Sequence, residues 1–250
     1  MTEPRKYRAP ALQKGLEILE TLAHAAQPMT MSDISAAVSR SRNEIFRMLQ
    51  VLEDLKYIAR NSASGYVLTN RLFALGMQQP AVRDLVGQAL PRMNELAEAL
   101  GQSCHLAVAS GGEIVVIARV EAPGLLGFAV RVGYRRAFHL SASGQVLMAF
   151  QTERVGERML AEIGRENDAD LIGRLDSVRA AGYLVEDSSA ITGVHDLSAP
   201  IIAHGCAVAA LTVPFVGGGS SERLPMDAAL EAVRQTADRI SHDIEGSRLA

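Results

Sequence analysis

The stretch from Arg42 to Gln50 carries side chains that can read the edges of bases in DNA. Arginine and asparagine present paired donors and acceptors that match guanine and adenine in the major groove, and an aromatic ring can pack on a thymine methyl. The residues of this kind are Arg42, Asn43, Phe46, Arg47 and Gln50. Apolar residues recur between them at spacings of three and four, which predicts a helix with one buried face. The alternative is a surface helix with ordinary solvated charges.

A second group of residues could support nucleophilic or acid–base chemistry. His139, Ser143 and Asp196 have the residue types of a hydrolase triad. However, the serine lies in "SASGQ", which is not the GxSxG turn of α/β hydrolases, so no catalytic residue is assigned and hydrolysis stays an alternative. The two cysteines, Cys104 and Cys206, form no Cys-x-x-Cys or Cys/His spacing. We therefore expect no metal site, and no cofactor is expected either.

Three helices and a hairpin are predicted to position the first group. A stripe of leucines that begins at Leu12 forms a helix ending at the turn around Pro28. Two capping boxes open the next two helices: Thr30 with Asp33, and Ser41 with Glu44. Two short strands follow around a turn: 57–60 and 66–69. These elements predict a winged helix-turn-helix, whose second motif helix lies in the major groove.

Charge is uneven along the chain. Residues 1–71 contain ten Lys and Arg against seven Asp and Glu, although the whole chain has a net charge of −3. This asymmetry favours a polyanionic partner for the N-terminal part. The first ten residues lack the apolar core of a secretory signal, so we expect a cytoplasmic protein. Residues 197–221 lack charge, but their prolines and glycines favour two buried strands around His204 and Gly205 over a membrane span.

The remainder of the sequence predicts an α+β domain. A helix is expected over Asp84–Leu100, and "HLAVA" and "IVVIARV" read as two strands joined by a tight turn, which makes them antiparallel. Further helices are predicted over 144–150, 153–163, 171–181 and 226–244, and further strands over 183–186 and 207–213. Because the helices are grouped between sets of strands, a doubly wound sheet is not expected.

These motifs resemble the IclR family of bacterial transcriptional regulators. The N-terminal resemblance rests on "ALQKGLEILETLA", "MTMSDISAAVSRSRNEIFRMLQVLEDLKYIAR" and "GYVLTNRLFALG". The C-terminal resemblance rests on "HLAVASGGEIVVIARVE", "RVGYRRAFHLSASGQVLMAF", "AAGYLVED", "GVHDLSAPI" and "AVAALTV". It implies a winged helix-turn-helix domain over 1–70, a linker helix over 71–83, and a GAF-like effector-binding and dimerisation domain over 84–250. It also implies a homodimer or dimer of dimers on a palindromic operator in double-stranded DNA.

The resemblance also implies the site residues. For DNA they are Ser41, Arg42, Asn43, Glu44, Phe46, Arg47, Arg60 and Ser64. Independently of the resemblance, the basic residues Arg5, Lys6 and Arg8 are expected to form an arm that reaches an adjacent groove. For a small organic effector they are Leu125, Phe128, Ala142, Ser143, Glu186, Asp196 and Thr212. Several have structural alternatives: Leu125 and Phe128 as core, Ser143 as the N-cap of the following helix, and Asp196 as a partner of His195. As an N-cap, Ser143 would mark a helix start that favours an anion.

Some positions depart from the family pattern. Asp196 stands where cysteine is common, Gln145 where lysine is common, and Pro214 where a serine often lines the pocket. With two acids and no lysine, a carboxylate effector requires a protonated acid, a cation, or a nearby arginine such as Arg119 or Arg131. An organic acid is the expected effector, and an amine or polyol stays open.

The linker departs from the family pattern as well. Pro80 is expected to break the linker helix after Met77 or Gln78, because proline removes a backbone donor and restricts the preceding residue. Taken together, the sequence predicts a regulator in which effector binding alters DNA binding. A sensor that acts only through protein partners stays a further alternative.

Overall fold

The structure is a computed structural model that describes residues 9–62, 65–123, 128–189, 191–217 and 224–247. The chain divides into two compact units, the first ending at Val82 and the second beginning at Arg83. Leu125, Ser64 and the basic residues Arg5, Lys6 and Arg8 lie outside the described residues, so the predictions made for them stay predictions.

The first unit is built from four helices and a two-stranded hairpin. In chain order these are α1 (Pro10–His24), α2 (Met31–Ala37), α3 (Arg42–Asp54), β1 (Ile58–Arg60), β2 (Tyr66–Leu68) and α4 (Arg71–Met77). Both predicted capping boxes are present: the hydroxyls of Thr30 and Ser41 accept from backbone N–H groups three residues later. Each box satisfies donors that the helix start leaves unpaired, which fixes where α2 and α3 begin.

One apolar core holds this unit together. Its most deeply buried members include Ile18, Ile34, Ile45, Leu49, Ile58 and Tyr66. They come from all three leading helices and both strands, so the hairpin is anchored to the helices. Tyr66 also forms a backbone bridge with Met29, whose N–H donates to the Tyr66 carbonyl at 3.1 Å. The helix-turn-helix with an attached hairpin that the sequence predicted is confirmed.

The second unit is organised around one antiparallel sheet with strand order β5-β4-β3-β8-β7-β6. Its strands are β3 (Cys104–Ser110), β4 (Glu113–Val120), β5 (Arg135–Ala137), β6 (Leu184–Asp187), β7 (Val194–Ala203) and β8 (Cys206–Val216). Its helices are α5 (Pro80–Leu100), whose first three residues precede the unit boundary, α6 (Ala142–Ala149), α7 (Glu153–Glu162), α8 (Ala169–Ala181) and α9 (Met226–Ser247), with a 3-10 turn at Phe138–Leu140.

The helices cover both faces of the sheet. On one face, α5 and α9 pack on the strands through a core that contains Met93, Leu211 and Ile240. On the other face, α6 and α8 pack through a second core that contains Phe138, Leu147 and Leu175. The α+β fold that the sequence predicted is confirmed, with helices on each side of an antiparallel sheet.

Three details differ from the sequence-based expectations or refine them. Helix α5 begins at Pro80, not at Asp84, since proline is favoured in the first turn, where its missing N–H is no loss. The linker is interrupted between Met77 and Pro80, as the proline predicted. The short strand β5 was not foreseen, because three residues give too little alternation to recognise.

Within the charge-free stretch, residues 197–216 form most of β7, a tight turn at His204 and Gly205, and β8. Among the described residues, no helix combines the length and the apolar composition that crossing a bilayer requires.

Candidate DNA-reading face and effector cavity

Helix α3 presents one polar face to solvent. Ile45, Leu49 and Leu52 are buried against the rest of the first unit, and this fixes which side of α3 points outward. The outward residues are Arg42, Asn43, Phe46, Arg47 and Gln50, all of them exposed. Phe46 is 43% exposed, which is unusual for a large apolar side chain. Two donor types suited to base edges therefore share one free surface with an aromatic ring.

Ser41 and Glu44 are engaged at the start of α3. The Glu44 carboxylate accepts from the Ser41 N–H at 3.0 Å and from its hydroxyl at 2.8 Å, and it pairs with Lys14 at 2.9 Å. The Lys14 hydrogen bond, followed by those from Ser41, lowers the pKa of Glu44 to about 2. Both residues thus have a role in positioning α3. Arg42 donates to the hydroxyl of Ser32 on α2.

Arg60 lies in the hairpin, on the first strand. Its Nε is 3.2 Å from a carboxylate oxygen of Glu53, and its guanidinium stacks over the Tyr66 ring at 5.0 Å from the centroid. These contacts fix the stem of Arg60 beside α3 while the side chain stays 45% exposed. The hairpin thus carries a positioned cation next to the outward face of α3.

The second unit contains a cavity of about 250 Å³ between the sheet and the first turn of α6. Among the residues predicted for an effector, five line it: Phe128, Ala142, Ser143, Asp196 and Thr212. Phe128 is half exposed, so it is not a core residue. Glu186 is not among the lining residues; it lies one strand away, directly opposite Asp196 in the β6–β7 pairing.

The predicted N-cap role of Ser143 is wrong. Ser141 is the N-cap of α6: its backbone is extended, and its hydroxyl accepts from the Gly144 N–H at 3.2 Å. Ser143 is the second residue of α6, and its buried hydroxyl lies 2.9 Å from the Thr212 hydroxyl and 3.4 Å from Nε2 of His105. The first turn of α6 nevertheless lines the cavity, and its leading N–H groups have no acceptor within the helix.

The carboxyl groups of Glu186 and Asp196 contact different partners. Glu186 pairs with Arg174 and accepts from Gln145 Nε2 at 3.4 Å. Burial raises the pKa of Glu186, and the nearby arginines oppose that shift. Burial also raises the pKa of Asp196, which a hydrogen bond with Ser188 opposes.

The suggested pairing of Asp196 with His195 was also wrong. His195 pairs instead with Asp187, with 2.9 Å between its Nδ1 and the carboxylate. Adjacent strand residues point to opposite faces of a sheet, so His195 and Asp196 face opposite sides.

Arginines supply positive charge at this cavity. Arg131 and Arg136 both line it, whereas Arg119 pairs with Glu121 and does not. Arg136 donates to the Tyr134 hydroxyl at 3.3 Å, and its Nε is a buried atom without a partner among the described residues. Sequence reasoning named Arg131 and missed Arg136 and Tyr134, although both lie in the quoted motif "RVGYRRAFHLSASGQVLMAF".

His105 was also missed. It lies on β3, is 5% exposed and lines the cavity. The serine of the suggested triad contacts His105 and not His139, whose Nδ1 has no partner in the part of the chain that the structure describes. The triad His139, Ser143 and Asp196 is therefore not assembled.

Comparison with known proteins identifies both units. The family model described as "IclR helix-turn-helix domain" matches residues 11–62, and the one described as "Bacterial transcriptional regulator IclR C-terminal" matches residues 78–242. The HTH-type transcriptional repressor AllR of Salmonella typhimurium is 27% identical over 246 residues, covering 93% of this chain and 89% of AllR.

Solved structures agree. HmgR of Pseudomonas aeruginosa is 26% identical with a TM-score of 0.73, covering 94% of this chain and 98% of HmgR. An IclR homolog of Microbacterium hydrocarbonoxydans, complexed with 4-hydroxybenzoate, is 22% identical with a TM-score of 0.79, covering 94% of this chain and 99% of that one. Such homologues are transcriptional regulators and not enzymes. The chain thus belongs to the IclR family: it is a transcriptional regulator with an N-terminal helix-turn-helix domain and a C-terminal ligand-binding domain.

Proposed function

We propose that the outward face of α3 reads a palindromic operator and that a small organic acid in the cavity of the second unit controls this binding. The observation that carries the DNA proposal is the exposed face of α3. Arg47 and Asn43 are exposed there, and no hydrogen bond or ion pair ties Arg47 to another described residue. Arg42 flanks Arg47 on this face, and Arg60 supplies a backbone contact from the hairpin.

A second copy of the chain is the proposed partner for an apolar groove in the first unit. Leu12, Leu16, Val51, Leu55 and Leu72 line this groove, and each is at least 40% exposed. Several exposed apolar side chains that share one groove favour association. A two-fold symmetric dimer would present two copies of α3 to half-sites about one helical turn apart, which is the reason for expecting a palindrome.

The acid proposal rests on the positive charge around the cavity. Arg131 and Arg136 line it, and the first turn of α6 adds N–H groups and the positive end of its dipole. The volume of about 250 Å³ suits a molecule of few heavy atoms. The relative complexed with 4-hydroxybenzoate supports a small carboxylate as the class.

An amine or polyol is the second candidate effector. Asp196 lines the same cavity and could accept from an ammonium or hydroxyl group. Burial, which raises the pKa of Asp196, weakens this candidate, because it disfavours the ionised carboxylate that an ammonium group would pair with.

Binding to selected DNA tests the α3 proposal. Duplexes should be selected from a random pool with the full chain, and the affinity for the selected sequence measured over a salt series. Arg47→Ala should cost roughly 1–3 kcal/mol of binding free energy if Arg47 makes a bidentate base contact. Arg158→Ala, which removes an exposed arginine of the second unit, is the matched control and should bind as the wild type does. An unchanged affinity for Arg47→Ala, or selected sites without two-fold symmetry, would contradict the proposal.

Thermal shifts of the full chain test the effector class. Benzoate, 4-hydroxybenzoate and pyruvate should raise the Tm, because a ligand of the folded state stabilises it as its concentration exceeds its Kd. Arg136→Gln should reduce these shifts. Arg135→Gln should not, because the neighbouring Arg135 pairs with Glu113 at the surface. If only benzylamine or glycerol raises the Tm, and Asp196→Cys abolishes that shift, the amine or polyol reading replaces the acid.

A further inference from the structure

Asp196 presents a carboxyl group to the effector cavity without a close cation of its own. It lines the cavity and is partly exposed. Glu186, directly opposite in the β6–β7 pairing, is neutralised by Arg174, whereas Asp196 forms no ion pair with any residue that the structure describes. Its hydrogen-bond partner is Ser188. A ligand in the cavity therefore meets a carboxyl group whose charge no close cation cancels.

The start of α6 points toward this carboxyl group. The Ser143 hydroxyl near the start of the helix lies 2.9 Å from the Thr212 hydroxyl, and the Phe150 carbonyl at its end accepts from the Ala207 N–H at 2.8 Å. Helix α6 and β8 therefore run in opposite directions, and α6 begins toward the end of β8 that pairs with Asp196. An anion drawn to the free N–H groups of this first turn would lie near the Asp196 carboxyl group.

The size of the cavity limits how far a bound carboxylate can lie from Asp196. A sphere of about 250 Å³ is about 8 Å across, so a carboxylate inside it lies within about 8 Å of Asp196. At the effective dielectric constant of about 20 that suits protein sites, repulsion between two like charges at this distance weakens binding about 30-fold. Protonation of Asp196 removes the repulsion. By reciprocity, a bound carboxylate favours the protonated form of Asp196.

The other charged or titratable groups around Asp196 do not replace it between pH 5.5 and 8.5. They are Glu186 on β6 with Arg174 from α8, His105 on β3, Arg136 on β5, and Arg131 in the segment before β5. Neither α6 nor β8 contains a charged residue. His195 faces the opposite side of the sheet and pairs with Asp187. Burial lowers the pKa of His105 to about 4, so its ring is neutral over this range, and the arginines stay charged.

We propose that Asp196 takes up one proton from solvent when an acid effector binds, so that the cavity holds the ligand carboxylate beside a neutral carboxyl group. This inference rests on the proposed acid effector and adds a pH dependence to it. Binding is tightest where Asp196 is already protonated in the free protein, and it weakens as the pH rises until Asp196 stays ionised in both states. Burial, which raises the pKa of Asp196, lowers the cost of the uptake.

Isothermal titration calorimetry of the full chain measures the proton directly. Benzoate, 4-hydroxybenzoate and pyruvate are titrated at pH 7 in MOPS and in imidazole, two buffers with different ionisation enthalpies, and the difference in observed heat gives the number of protons exchanged. For an acid that binds, we expect net proton uptake. Its affinity should fall by up to about 30-fold from pH 5.5 to 8.5, and by at most about tenfold per pH unit, because one proton is involved. Proton release, no exchange, or a constant affinity would overturn the proposal.

Substitution of single carboxyl groups identifies the residue that takes up the proton. Asp196→Asn keeps the shape of the side chain without its charge, so its affinity for the same acid should stay nearly constant over this pH range. At pH 8.5 it should bind that acid more tightly than the wild type, by up to about 30-fold. Asp187→Asn is the matched control, because Asp187 is largely exposed and pairs with His195, and it should keep the wild-type pH dependence. If Asp196→Asn keeps that dependence and Glu186→Gln loses it, Glu186 takes up the proton and the proposal fails.

The two proposals can fail separately. If an acid binds without proton uptake, this inference fails and the acid effector stands. If none of the three acids binds, the acid effector fails and the proton uptake by Asp196 fails with it.

Discussion

Gly144→Ala should be the most damaging single methyl addition in α6, and it tests the packing behind the effector cavity. Gly144 is the third residue of α6 and lies against the 3-10 turn at Phe138–Leu140. A Cβ at Gly144 would lie 2.3 Å from the Phe138 carbonyl oxygen and 2.5 Å from the Phe138 Cα. Both obstructing atoms belong to the backbone, so rotation of a side chain cannot relieve the overlap.

The magnitude follows from this geometry. The separation of 2.3 Å is about 0.7 Å less than the 3.0 Å below which Cβ contacts essentially do not occur. Overpacking a close-packed interior typically costs about 1–3 kcal/mol. Because Phe138 is fully buried and must move as backbone, we expect the upper end, about 3 kcal/mol. For a domain of this size, that corresponds to a loss of roughly 6–12 °C in Tm.

Urea unfolding followed by far-UV circular dichroism measures the expected decrease in the free energy of unfolding. Gly156→Ala is the matched control, since Gly156 lies inside α7 and an added Cβ there meets nothing within 4 Å. Alanine is better than glycine in a helix by roughly 0.5–1 kcal/mol, so the control should be slightly more stable than the wild type. A Gly144→Ala protein that unfolds at the wild-type urea concentration would refute the close approach of α6 to the 3-10 turn.

Two pH-dependent predictions concern single carboxyl groups, both measured by urea unfolding over a pH series. Glu44→Gln should be less stable than the wild type at pH 7, and the difference should vanish as the pH falls from 4.5 to about 2, because the lowered pKa of Glu44 stabilises the folded state only while Glu44 is ionised. If the difference in stability between Glu44→Gln and the wild type stayed constant over that pH range, the capping box with Ser41 and the ion pair with Lys14 would be contradicted. Asp196→Asn should gain stability relative to the wild type as the pH rises above 3.8, since burial raises the pKa of Asp196 and the stability of its protonated form is lost as it ionises. An opposite slope would show that Asp196 is stabilised as an anion.

Local patterns predicted the parts of the fold that local interactions determine. The capping boxes at Thr30 and Ser41 involve residues three apart, so the sequence contains every atom that the motif needs. The turn at His204 and Gly205 is likewise local, because both residues adopt positive φ between two adjacent strands. Because patterns of this kind span only a few residues, the order of helices and strands was predicted almost completely.

The cavity depended on tertiary information and was predicted only in part. Ser141 and Ser143 are equally suitable caps by type, and the preceding 3-10 turn decides between them by leaving Ser141 extended. His105 and Arg136 come from strands far apart in sequence, and nothing local marks them as neighbours of the same cavity. Glu186 was placed in the site by resemblance, but the strand pairing puts it beside Asp196 and away from the lining.

The burial of α6 determines where new ligand preferences can arise. All eight residues from Ala142 to Ala149 are buried, and the last turn is held by Arg179, whose guanidinium donates to the Ala149 carbonyl. A substitution in α6 therefore disturbs the core before it reshapes the cavity. Positions such as Phe128, Arg131 and Pro214 border the cavity from outside α6. Substitutions that change the effector, in evolution or in laboratory selection, should accumulate at these positions, while the residues of α6 stay unchanged.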